Sequence, residues 1–328
     1  MGRLLYLLLF FLSVSPAFSQ QLQIDSQVVA IINRDDTGEP LNFPTVVYYY
    51  REKEELVIVD STKAKIIFYT PDFFPFFSIG RGRKVLVPKG VTFDDKGFMY
   101  VSQGLGALNP QTPKISVFNG AGIWVRDIIL KVNGRPFSPS SIAIGKNQKI
   151  YVISYGKAGC LVLNKEGKLI KIINPKDAIS PDEPKREAAL SDVYIDEDGR
   201  IYLLSEEMGR VYVYDKNGNF LFKAGQKGGT PGKLSRPRGV AADPSAGFIY
   251  ITDYMRHCVQ ILDYDTGKFL GEIGGRGWGP GWFNYPGDIT VDTRGYIYVC
   301  DLFNNRVQVL KVKASFEALT SENKTQEK

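Results

Sequence analysis

Pro286-Gly-Asp-Ile-Thr-Val-Asp292, Tyr296-Ile-Tyr-Val-Cys-Asp301 and Asn304-Asn-Arg306-Val-Gln-Val-Leu310 stand close together near the end of the chain. Each run is short, apolar or alternating, and rich in β-branched and aromatic residues, so the stretch reads as three strands joined by tight turns. Nearly the same wording occurs once before, at Pro237-Arg-Gly-Val-Ala-Ala-Asp243, Phe248-Ile-Tyr-Ile-Thr-Asp253 and Val259-Gln-Ile-Leu262. Two such copies point to a repeat.

Working outward, equivalent openings stand at Pro44, Pro88, Pro139, Leu190, Pro237 and Pro286, spaced by 44, 51, 51, 47 and 49 residues. Each opening leads into a second and a third strand, and all but the last repeat carry a fourth. Four strands per unit at this period define a β-propeller. The expected fold is therefore all-β, a six-bladed β-propeller of four-stranded antiparallel blades. The sixth repeat ends at about Val312, leaving a bare edge of the kind proteins cover. A spare apolar run at 22–33 precedes the first repeat, and the reading places it as the outermost strand of blade six, closing the ring. Without closure, two apolar blade faces would meet water. At about 25 cal/mol per Å2, a few hundred Å2 of such exposure costs several kcal/mol, on the scale of a domain's net stability.

Outside the repeats, residues 1–19 read as a secretory signal. Arg3 is followed by an apolar run of about eleven residues, too short for the ~20 that span a bilayer. Small residues at Ala17 and Ser19 then predict a mature start at Gln20. Residues 20–313 form the propeller domain, and 314–328 read as a disordered polar tail. The tail contains the sequon Asn323-Lys-Thr325. The expected location is secreted or periplasmic, with no membrane insertion once the signal is cleaved. The net charge of +6 is too small to demand a polyanionic partner. A single histidine excludes a multi-histidine metal centre, and three widely spaced cysteines make neither a disulfide framework nor a zinc pattern.

The pattern Pro-x-Gly-Val-x-x-Asp, Ile-Tyr-Val-x-Asp, x-x-Asn-Arg-Val-Gln-Val resembles the NHL repeat, most closely in repeats five and six. Asp60, Asp253 and Asp301 match the family's aspartate after the second strand, where Ser102, Ser154 and Ser205 stand in the other repeats. The resemblance implies a six-bladed propeller but no single function, because the fold hosts binding modules and a few enzymes. The family's amidating lyase uses several histidines, whereas only His257 occurs here.

Alternating strand direction puts the turns after strands two and four on one face of the disc. That face gathers Arg236, Arg238, Tyr254, Arg256, Arg276, Trp278, Trp282 and Tyr285 on blades five and six. Flat aromatic rings and planar cations concentrate contact energy, so this basic, aromatic face is the expected ligand-binding face. Phe283 and Pro286 are expected to pack between blades, while Arg276 and Trp278 project. Asp60, Asp253 and Asp301 are expected to cap hairpins, and His257 and Cys258, adjacent on a strand, to point apart rather than pair as a nucleophile. The loop 174–189, with three prolines, is a candidate lid or partner contact.

The reading is thus a monomeric binding scaffold for a protein, peptide or glycan, with no catalytic residue, metal or cofactor assigned. The alternative is a lyase or lactonase with a carboxylate-lined channel. The export signal argues against nucleic acid.

Overall fold

In a computed structural model, the described residues are 20–106 and 112–318. Residues 24–313 form one unit; of the other, 20–23 and 314–318 are described, and both stretches are strand. Residues 1–19, and the sequon at Asn323, lie outside the described residues.

Six four-stranded antiparallel sheets succeed one another along the propeller unit. Their first strands are Pro44–Tyr50, Pro88–Phe93, Ile142–Ile144, Asp192–Ile195, Pro237–Asp243 and Pro286–Val291. These strands neighbour one another in ring order, and the sixth touches both the fifth and the first. The second strands are buried on both faces, as at Glu55–Asp60 and Ile201–Ser205, because each blade is sandwiched between two others. Outermost strands such as Leu169–Ile173 and Phe220–Ala224 are largely exposed.

The apolar core is divided among the six seams. One cluster lies between each pair of neighbouring blades, for example Tyr202, Leu204, Val213, Val240 and Ile251 between blades four and five. The seam that closes the ring holds Ile32, Leu41, Val47, Tyr298, Val307 and Val309. Blade six is ordered Pro286–Val291, Tyr296–Asp301, Arg306–Ala318 and, outermost, Gln20–Ile32. The N-terminal strand therefore covers the edge that the last repeat lacks. Strand Arg306–Ala318 continues beyond Val312, where the sequence reading ended it, so residues 314–318 are strand rather than tail.

Two polar devices recur. Asp60, Asp253 and Asp301 are fully buried, and each accepts a backbone N–H from the preceding inter-blade loop: Asn42 at 2.7 Å, Ser235 at 2.6 Å and Asn284 at 2.7 Å. Asp60 and Asp253 also accept from Lys63 and Arg256 N–H in their own hairpins, so they cap and staple at once. In the turns between first and second strands, Asp196 and Asp292 each accept a tyrosine hydroxyl six residues on, from Tyr202 and Tyr298, both at 2.8 Å. These turns carry Gly97, Gly199 and Gly295 at positive φ, the conformation that selects glycine there.

The glycine of the repeat opening has a different cause. A Cβ on Gly239 would lie 2.9 Å from Asp288 Cα of the next blade. Only glycine lets the inner strands approach this closely.

The loop 174–189 is stitched down. Lys176–Asp177 pairs with Arg186–Glu187, and Ala189–Leu190 pairs with Lys157–Ala158. Asp177, buried, accepts from Lys223 Nζ at 2.6 Å and faces Arg210 Nε at 3.0 Å.

Candidate functional site

The inner strands enclose a cavity of about 690 Å3 along the propeller axis. Its composition follows from the repeat opening, because successive positions of that opening line successive levels of the channel. At the level nearest the mouth, Thr45, Lys89, Ser140, Ser191, Arg238 and Gly287 line the wall. Strand register shifts between Pro88 and Gly90, and again between Pro237 and Gly239, leaving Lys89 and Arg238 as bulge residues. A bulge re-aims its side chain, here into the mouth. Lys89 and Arg238 belong to blades two and five, which stand opposite each other in a ring of six.

Arg238 is held on three sides. Its guanidinium lies 5.1 Å from the ring centre of Tyr155 and 5.0 Å from that of Tyr254. Its Nε stands 3.3 Å from Glu206 Oε2. Glu206 also accepts from Arg236 Nε at 2.5 Å and from the Tyr155 hydroxyl. Burial and the Glu206 hydrogen bond both push the Tyr155 hydroxyl above its ordinary pKa, so it stays a donor. The mouth is thereby built from three blades around one carboxylate.

One residue further in, Val46, Ser141, Asp192 and Asp288 line the channel. Asp192 accepts from Ser141 Oγ at 2.7 Å and from Val240 N–H at 3.1 Å. Asp288 accepts from Val47 N–H at 3.0 Å. Each carboxylate thus satisfies an inner-strand N–H of the following blade, where no further strand pairs. Burial raises the pKa of both, and the charge of Asp192 raises Asp288 further. Such a pair retains a proton at pH values where ordinary carboxylates have lost theirs.

The other end of the cavity lies at the turns between first and second strands. Tyr48 and Tyr194 line it, and burial keeps both hydroxyls protonated. Beyond them Arg51 forms an ion pair with Glu197, from the turns of blades one and four. These blades are also opposite, so the pair spans the axis.

Of the eight residues singled out from sequence, Arg238 and Tyr254 line the cavity. Arg236 sits beside them, 5.3 Å from the Tyr254 ring centre, and Tyr285 packs on Tyr254 at 4.6 Å. Arg256 is committed elsewhere: its Nη2 reaches both oxygens of Glu272, at 2.7 and 2.5 Å. Arg276, Trp278 and Trp282 are exposed, the tryptophans at 78% and 52%, but none lines the cavity. Trp282 lies over Gly275 and Gly277, which leave room for its ring. Phe283 and Pro286 are buried, as packing required.

Sequence reasoning missed Tyr155, Glu206 and Lys89. The first two directly follow Ser154 and Ser205, the serines standing in the aspartate column. Reading the column beside that one yields Ser61, Gln103, Tyr155, Glu206, Tyr254 and Leu302 in the six repeats.

His257 and Cys258 do not form a nucleophile pair. Burial pushes the Cys258 thiol up to about 12, whereas His257 Nδ1 accepts from Tyr285 N–H at 3.1 Å. Burial, then the Arg276 charge, lowers the imidazole pKa from its ordinary 6.5. The stability contributed by the neutral ring is fully present above pH 6.5 and is lost as pH falls through the depressed folded value. Acidification is therefore expected to loosen the 275–285 loop, read by tryptophan fluorescence, and His257→Ala to remove that transition. A variant with the wild-type pH midpoint would refute the assignment.

With fold and site described, the chain is a six-bladed β-propeller that is similar over part of its length to NHL repeat-containing proteins. A family model described as 6-bladed beta-propeller matches residues 243–319. NHL repeat-containing protein 3 of Mus musculus is 27% identical over 191 residues, covering 53% of this chain and 51% of the mouse protein. The chain thus spans about half the length of the curated relatives it matches. Among solved structures, an auxiliary nutrient binding protein from Bacteroides thetaiotaomicron aligns with TM-score 0.64 at 12% identity, over 90% of this chain and 77% of that one. A streptogramin B lyase aligns with TM-score 0.57 at 12% identity, over 91% and 100%. At these identities the likeness is one of fold. Among the described residues, no helix is long and apolar enough to cross a membrane.

Proposed function

We propose that this propeller is an exported binding protein whose ligand, a glycan or peptide segment, enters the channel mouth on the basic, aromatic face. The observation that carries this is the cavity of about 690 Å3 with Arg238 preset at its opening. That volume lies within the ~300–1,000 Å3 of small-molecule sites. Leu105, Tyr155, Met255 and Phe303, all exposed and all on turns after second strands, extend an apolar rim around the mouth. The nutrient-binding role named for one fold neighbour agrees with this reading, as does the signal-like segment 1–19.

The test is a glycan and peptide array probed with the mature chain and two triple variants. Alanine at Tyr155, Arg238 and Tyr254 is expected to weaken the retained ligand about 100-fold or more. Alanine at Arg276, Trp278 and Trp282 is expected to change it by less than about threefold, since these residues lie away from the cavity. The reverse ranking would move the site outward onto blade six and defeat the proposal.

The Asp192/Asp288 pair supports a second reading, an enzyme using one carboxyl as acid and the other as base. Product formation from the array ligand, abolished by Asp192→Asn and Asp288→Asn, would establish it in place of simple binding.

A further inference from the structure

We infer that the ligand is a hydroxylated carboxylic acid, a uronic-acid unit of a glycan, whose carboxylate docks on Arg238 while its hydroxyls turn inward to Ser141 and the Asp192/Asp288 level. This rests on the channel-mouth reading above and specifies the chemistry of that site.

Three observations carry it. First, Arg238 is an arginine oriented and left unused. Glu206 faces only its Nε, two tyrosine rings fix its plane, and its terminal nitrogens have no hydrogen-bond partner among the described residues. A planar fork with two free N–H groups matches a carboxylate bidentately. Arg256, by contrast, has Nη2 on both oxygens of Glu272 and Nη1 on the Gly229 carbonyl. Second, Lys89 lines the same opening from the opposite blade, and it too has no polar partner among the described residues. The mouth therefore presents two cations across one aperture, with Glu206 engaged by its own neighbours. Third, the lining beneath is rich in hydroxyls, at Thr45, Thr92, Ser140, Ser141 and Thr290. Carboxyl oxygens at the Asp192/Asp288 level can accept from such hydroxyls, and burial, which raises both pKa values, favours the neutral form over a pair of ionised carboxylates facing an incoming anion. The exposed ring of Tyr155 supplies a flat apolar face of the kind on which a sugar ring packs.

The test uses isothermal titration calorimetry of the mature chain with a galacturonic acid trimer and with its fully methyl-esterified form, which keeps every ring hydroxyl and loses the charge. The acid is expected to bind and the ester to bind at least about tenfold more weakly. Arg238→Met is expected to bring the acid down to the affinity of the ester while barely changing the ester. Arg238→Lys should restore part of the difference, since a point cation replaces the fork. Thermal melting at the wild-type temperature shows that the variants fold. Equal binding of acid and ester, or an Arg238→Met loss shared by both, would overturn the acid assignment while leaving the channel as a glycan site. Preference for a galactose 6-sulfate trimer over galacturonate would overturn it as well. If neither trimer binds, the acid assignment also fails, and the array variants then decide the channel reading: a mouth-dependent ligand of other chemistry preserves it, and none removes it.

Discussion

Replacing Asp301 by alanine is expected to lower the unfolding free energy by about 3–5 kcal/mol, the range for breaking a buried ion pair by removing one partner. Asp301 accepts from Asn284 N–H, from Arg306 Nε at 2.7 Å, from Asn304 Nδ2 at 2.8 Å and from Gln308 Nε2 at 3.0 Å. Its loss strands Arg306, itself 8% exposed, inside blade six. The equivalent change at Asp60 is expected to be milder, about 1–3 kcal/mol. Its principal partners are the backbone N–H groups of Asn42 and Lys63. Urea unfolding followed by tryptophan fluorescence measures both. Equal losses at the two sites would show that the guanidinium is not what sets the cost.

Removing residues 20–32 is expected to abolish cooperative folding. The strand alternates, with Ile24, Val28 and Ile32 facing inward, and these contribute to the seams on both sides of blade six. Their burial amounts to roughly 3–6 kcal/mol. Net stabilities of single domains are about 5–15 kcal/mol, so the loss removes much of the margin. It also bares the unpaired edge of Arg306–Ala318, inviting association with other chains. Size-exclusion chromatography and circular dichroism should show aggregation and loss of a sharp melt, with partial rescue by a synthetic 20–32 peptide. A truncated chain that melts at the wild-type temperature would mean that the ring is closed by the seams alone.

The architecture was legible because it is written six times. The period, the four strands and the missing last strand follow from hydrophobic runs that recur regardless of their surroundings. The site was legible only in part. Arg238 and Tyr254 stood out as an arginine and a tyrosine on the correct face, but so did Arg256, and nothing local reveals that Glu272 sixteen residues later occupies it. Trp278 and Trp282 drew notice as large aromatics among glycines. The structure explains those glycines as space for the Trp282 ring rather than as a ligand approach. Lys89 escapes a sequence reading because its importance is purely positional: it holds in blade two the bulge position that Arg238 holds in blade five and faces it across the axis, a relation that exists only once the ring is closed. The sequence alone places the end of the sixth repeat at Val312, because Lys313, Ser315 and Glu317 conceal a strand that runs on to Ala318.

The bond from Arg51 to Glu197 across the far opening has its own consequence. With those two side chains across the axis, a ligand of the proposed kind would enter and leave by the mouth alone. On the glycan proposal above, such a site would take chain ends, and fragmenting a polysaccharide at constant mass would raise occupancy in proportion to the new termini, so that occupancy would follow degradation of the polymer rather than its abundance.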